Sequence, residues 1–301
     1  MTLNDVEARK TLATLIRIGM GLLFVSGGWN KLYQLLDPAL EPAVMSSYLG
    51  AHGYINTFFV AYLFDGADAF LTPWGFLTIL STFELVTGLL LLAGLLVRPI
   101  ALIYAFLLWS FVIALPVMTA PGAAIEANTF TTPAILVQIR DIGLSGLMFL
   151  LFNLGSGRNS FDARVLPNLA KGTLARGDGL GLLLRVSLAA PLIVGGAFAG
   201  YADIQTFAMP GIVLFVVGLW ILAGELPRFA GAALAAILIW FMVTKIGFDK
   251  SLIANLNGIK REFAFLAAAI GYALLGGGTV YTLRDCVRRI GASLSRTPTS
   301  S

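Results

Sequence analysis

The chain has 301 residues, 58% of them hydrophobic and 12% charged, with a mean hydropathy of +0.87 and a formal net charge of +4. About a quarter of a soluble domain is charged, so this composition excludes an ordinary soluble protein and places the chain in a lipid bilayer. A single cysteine, Cys286, excludes an internal disulfide and a thiolate-bound cluster. A single histidine, His52, excludes bis-histidine haem ligation and a multi-histidine metal site, and the small positive charge calls for no nucleic acid.

Residues 1–11 are polar and end in Arg9 and Lys10. Arg17 interrupts the apolar run that follows, acids precede it and no A-x-A site comes after, so the start reads as a span and not as a cleaved signal peptide. The first span, 12–34, contains RIGMGLLFVSGGWNK over 17–31. At 100° per residue, Gly21, Phe24, Gly28 and Lys31 fall within about 40° of Arg17, so one helix face carries two cations separated by small residues. A long loop, 35–72, holds Asp37, Glu41, His52, Asp65 and Asp68, and its YINTFFVAYLF stretch suits the membrane surface. Further spans are expected at 73–96, 99–118, 134–154, 181–200, 208–224, 229–246 and 262–281, with Pro or Gly at most boundaries. The expected fold is therefore all-α, with eight transmembrane helices. Trp29, Tyr33, Trp74, Trp109 and Trp240 read as interface anchors or packing residues.

Eight spans put both termini on one side. Twelve cations, from Arg9 and Lys10 through Arg98, Arg158 and Arg228 to Arg296, fall on that face. Five fall on the other: Lys31, Lys245, Lys250, Lys260 and Arg261. The bias places both termini in the cytoplasm, and the 35–72 loop and the 119–133 segment outside.

The chain also repeats itself. Arg17 matches Arg185, LLLLAGLLVRP matches LWILAGELPRF, and Arg140-Asp141 matches Arg261-Glu262. Four spans per unit make the two units parallel repeats. The domains are then a four-helix bundle over 1–165, a basic linker at 166–180, a second, degenerate bundle over 181–290 and a polar tail at 291–301. Ala199 stands where Lys31 does and Leu214 where Glu84 does, so the second bundle is expected to be structural.

A charge inside a span is costly and normally faces protein and a partner. Glu84 lies about 11 residues below the outer start of its span, roughly 16 Å deep at 1.5 Å per residue. Lys31 ends its span at the outer face, and Arg140 and Asp141 open theirs there. These four form the expected site, an outer pocket in the first bundle beneath the 35–72 loop. Lys31, Arg140 and His52 would bind an anion, Glu84 would handle a proton, and Asp141 would hold Arg140. Arg17 and Arg185, near the cytoplasmic ends, are expected to snorkel to head groups, and Arg261 and Glu262 to be structural.

The same residues resemble those of a known family. R-x(6)-F-x(3)-G-x(2)-K in the first span, FELVTGLLLLAGLLVRP, and an Arg-Asp pair opening the fourth span are similar to the DoxX/DoxD-type membrane proteins. DoxD is the membrane subunit of thiosulfate:quinone oxidoreductase. The resemblance covers 1–165 and, in degenerate form, 180–290. It implies a prokaryotic inner-membrane subunit that oxidises a small extracytoplasmic anion of the thiosulfate type. Quinone would be the acceptor, with no haem, metal or flavin in this chain, and a DoxA-like or other redox partner or a second copy would accompany it. The second half is not DoxA-like, which leaves two other readings: a non-catalytic scaffold or assembly subunit, and a small-solute transporter.

Overall fold

The computed structural model describes residues 5–49, 53, 55, 57–64, 71–115, 128–129, 132–173, 177–197 and 209–294. His52, Ala199 and most of the 119–133 segment lie outside them. Along the chain run α1 (Val6–Leu36), α2 (Glu41–Leu49), α3 (Thr57–Leu63), α4 (Pro73–Ala93) and α5 (Val97–Ala114). A two-residue antiparallel pair, Asn128–Thr129 with Thr132–Pro133, precedes α6 (Ala134–Leu154). Two short helices, α7 (Phe161–Val165) and α8 (Pro167–Ala170), lead to α9 (Gly177–Ala197), α10 (Gly211–Ala223) and α11 (Pro227–Lys245). The chain then forms α12 (Leu252–Gly258), α13 (Lys260–Leu275) and α14 (Leu283–Leu294).

Among the described residues, six helices, α1, α4, α5, α6, α9 and α11, are long and apolar enough to cross a membrane. The remaining two expected spans come out shorter: α10 has 13 residues, and α13 has 16 and opens on Lys260, Arg261 and Glu262. The multi-pass membrane character thus rests on six helices.

Local signals account for the helix ends. Asp5 accepts the Glu7 N–H at the start of α1, and Thr72 accepts that of Gly75 at the start of α4, where Pro73 needs no backbone partner. Gly94 (φ 76°) and Gly224 (φ 72°) end α4 and α10 in the left-handed conformation that glycine adopts without strain. Each turn then passes through a left-handed leucine, Leu96 or Leu226, into the next helix.

Packing follows the small residues. A Cβ at Gly28 would lie 2.6 Å from the Leu85 nitrogen and one at Gly88 2.7 Å from that of Val25, so α1 and α4 meet backbone to backbone. On its other side α1 packs along α13, while α6 packs along both α5 and α9. In the second half α9 packs on α10, and α11 on α13. The two halves therefore join along α1–α13 and α6–α9, and one continuous core of buried Leu, Ile, Ala and Phe runs through both. A smaller cluster, Leu35, Val44, Ile55 and Leu77, seats α2 over one end of the bundle.

Candidate functional site

Arg17, Gly21, Phe24, Gly28 and Lys31 are all buried in α1, so the face that carries two cations does turn into protein. Lys31 reaches α4, where its Nζ lies 2.5 Å from both carboxylate oxygens of Glu84. The pair is buried, Glu84 being 5% exposed and Lys31 9%. Removing either partner would strand a charge in low dielectric, which is the costly change for such a pair.

Arg140 and Asp141 do not pair with each other. Arg140 Nη1 donates to Glu262 Oε1 at 2.8 Å, and Arg261 Nε donates to Asp141 Oδ1 at 2.9 Å. Each half thus supplies an adjacent cation and acid at the start of a helix, α6 or α13, and each takes its partners from the other half. The reason is geometric: neighbours on a helix point about 100° apart, so an adjacent Arg and Asp cannot face one another. The expectation that Asp141 holds Arg140 gives way to this exchange. Arg261 and Glu262 belong to the same site as Lys31 and Glu84.

These groups line one cleft of about 540 Å³. It lies between the halves and not within the first bundle alone. Six cations, Lys31, Arg140, Lys245, Lys250, Lys260 and Arg261, face three carboxylates, Glu84, Asp141 and Glu262. The lining also includes apolar Leu23, Phe24, Leu80, Leu108 and Phe111, and α2 contributes Val44, Ser47 and Tyr48. Burial raises the Tyr48 phenol above its usual range, so this lid residue stays neutral. Sequence reasoning missed Lys245, Lys250 and Lys260 as site residues, although they are three of the five outer cations. Their membership depends on α11, α12 and α13 folding back against α1.

Arg17 and Arg185 do not snorkel. Arg185 is fully buried and donates to the carbonyls of Leu222 (2.9 Å), Val280 (2.9 Å) and Tyr281 (3.1 Å). Arg17 donates to Leu92 (3.5 Å) and Arg158 (3.3 Å). The last carbonyls of α4 and α10 lack partners within their helices and carry the negative end of the helix dipole, so a guanidinium from the adjoining helix satisfies them. Asp162, which sequence reasoning also missed, does the converse: its carboxylate accepts the N–H groups of Leu96 and Val97 at the start of α5. Among the described residues, no three His, Cys, Asp or Glu side chains are grouped to hold a metal ion.

Residues 12–118 match the family model described as DoxX. That segment spans α1 to α5 and includes Arg17, Lys31 and Glu84. No curated protein and no solved structure matches the chain.

Proposed function

We propose that the protein is the membrane subunit of a quinone-linked oxidoreductase, binding a small extracytoplasmic anion of the thiosulfate type in the cleft between its halves. The observation that carries this reading is the excess of cations over carboxylates around one partly enclosed space. The topology that goes with it has α10 and α13 completing eight spans as two parallel four-helix repeats, with both termini in the cytoplasm of a prokaryotic cell. The cleft then opens to the outside, under α2. The matching Gly94 and Gly224 turns, each capped by an arginine from the first helix of its half, support the repeat.

A quinone suits the apolar lining, to which Phe24 and Phe111 belong, and would supply the electron acceptor when bound. The chain's own residues do the rest. Lys31 holds the Glu84 carboxylate at the wall of the cleft. Glu84 is the group placed to hold a proton between the anion side and the apolar side. The crossed pairs Arg140–Glu262 and Arg261–Asp141 fix the two walls relative to one another.

The test is quinone-dependent oxidation of thiosulfate by membranes carrying each variant. Glu84→Gln is expected to lower turnover at least tenfold with anion binding kept. Those crossed pairs equally serve a scaffold subunit whose charges only bind helices together. If Glu84→Gln folds and turns over like the parent, the scaffold reading replaces the catalytic one. Reporter fusions at residues 125 and 170 are expected on opposite sides of the membrane, and the same side for both would overturn the eight-span topology.

A further inference from the structure

We infer that the anion is held by the second half, through Lys245, Lys250 and Lys260 with Arg140 Nε as the deepest donor, and that this set selects oxyanions carrying two or more charges. The inference rests on the reading of the cleft as an anion site, and it reassigns the binding residues within it.

The charges of the cleft pair off one for one, and the pairing decides which cations are left. Glu84 is taken by Lys31, Glu262 by Arg140 Nη1 and Asp141 by Arg261. Among the described residues, none of Lys245, Lys250 and Lys260 lies within 4.0 Å of a carboxylate. Two of them are nonetheless fixed in place by neighbouring residues at the end of α12. Lys260 Nζ donates to Asn257 Oδ1 at 2.7 Å. Lys245 Nζ donates to the Gly258 carbonyl at 3.3 Å and sits 4.2 Å from the centre of the Phe241 ring. Neutral oxygens orient these ammonium groups without cancelling their charge.

A second observation points to a ligand. Arg140 is 5% exposed, and its Nε has no hydrogen-bond partner among the described residues. A buried guanidinium N–H without an acceptor is unfavourable, and an anion oxygen in the cleft would satisfy it. The bound anion would sit near Glu84 as well. A Cβ built on Gly27 would lie 3.4 Å from both Lys260 Nζ and Glu84 Oε2, so Lys260 reaches the Lys31–Glu84 pair across α1. Three unpaired lysines repel one another, and an anion with a single charge offsets only part of that. Ammonium groups on flexible stems gather around a compact polyanion, which explains the expected preference for charge.

The experiment is equilibrium binding of sulfate, thiosulfate and nitrate to the purified full chain in detergent at fixed ionic strength, followed by titration calorimetry. Sulfate and thiosulfate are expected to bind at least tenfold more tightly than nitrate. Lys260→Gln should weaken sulfate at least tenfold and Lys245→Gln several-fold, while Lys260→Arg keeps most of the affinity. Lys31→Gln with Glu84→Gln, which removes a neutral pair, should change it less than threefold, and Arg289→Gln on α14 not at all. Thermal unfolding without anion shows whether a variant has lost binding or structure; Lys260→Arg decides the matter if Lys260→Gln does not fold. Parent affinity in Lys260→Gln, with loss in the Lys31/Glu84 double variant, would overturn the assignment and leave the cleft an anion site. Nitrate binding as tightly as sulfate would overturn the charge preference. A parent that binds none of the three anions would overturn both this inference and the anion-site reading.

Discussion

Glu84 on α4 and Leu214 on α10 occupy corresponding places, each four residues before a glycine, Gly88 or Gly218, on which the first helix of its half packs. Both are buried. The cleft that Glu84 lines is about 540 Å³; a cavity between α9, α11 and α13, which Leu214 does not line, is about 20 Å³, room for roughly one water. Several walls correspond. Leu108 and Phe111 line the large cleft, and their counterparts Leu238 and Phe241 line the small cavity. What differs is the polarity of the matching position on α4 and α10, Glu84 against Leu214. A carboxylate below the membrane surface needs a cation and polar space, because stripping its hydration costs several kcal/mol that apolar contacts do not offset. A leucine asks only for close contact, and the lobe fills. The second half carries its charge instead at the ends of its helices, where Lys245, Lys260 and Arg261 line the cleft between the halves.

The sharpest way to break this comparison is to make the first half resemble the second. Glu84→Leu leaves Lys31 buried without a partner and is expected to cost about 3–5 kcal/mol of stability, read from thermal unfolding of purified protein. Adding Lys31→Leu should recover most of the loss. A double variant as unstable as the single would mean that the halves differ by more than one ion pair.

The next effect separates the two arginine caps. Arg185 holds three carbonyls at 2.9 to 3.1 Å, and Arg17 holds two at 3.3 and 3.5 Å. At about 1 kcal/mol per hydrogen bond, and about half that for the two long ones of Arg17, Arg185→Met should lose about 3 kcal/mol and Arg17→Met about 1 kcal/mol. Equal losses in chemical unfolding would show that the caps do the same work in both halves.

The exchange between halves is open to a charge swap. Asp141→Arg places two cations together and should destabilise, and Arg261→Asp in the same chain should restore part of the loss. A coupling of about 0.5–3 kcal/mol is expected from the double-mutant cycle. No coupling would argue that helix packing along α1–α13 and α6–α9 holds the halves without help from this pair.

The smallest effect lies at α14, a feature of the second half. The Tyr281 N–H, with Arg288 and Arg289, holds the Asp285 carboxyl below the usual carboxylate range. A depressed value in the folded state contributes stability that is present at neutral pH and lost as pH falls through that value. A spin label on Cys286, the only cysteine and an exposed one, should keep the same mobility from about pH 7 to 5 and loosen below about pH 4, near the ordinary aspartate value. Loosening at pH 6 would assign the anchoring to another group.

The membrane class, the positions of most helices and the ends of α4 and α10 were legible in the sequence, because apolar length, Pro and Gly act locally. So was the inward face of α1, since Arg17, Gly28 and Lys31 share one helical stripe whatever surrounds it. That Lys31 and Glu84 could meet was legible because a lysine ending its span at the outer face can reach down toward a carboxylate below it. Partner choice was not. Arg140 and Asp141 are adjacent in sequence, yet which acid meets which cation depends on how α6 and α13 approach each other, a property of helix packing over 120 residues of intervening chain. The snorkelling expected of Arg17 and Arg185 failed for the same reason, because unsatisfied carbonyls at the ends of neighbouring helices compete with head groups and are visible only once the helices are placed. The sequence by itself determined where charge was too costly to leave unpaired. Only the tertiary structure decided how it was paired, and so left Lys245, Lys250 and Lys260 as the unbalanced charge of the cleft.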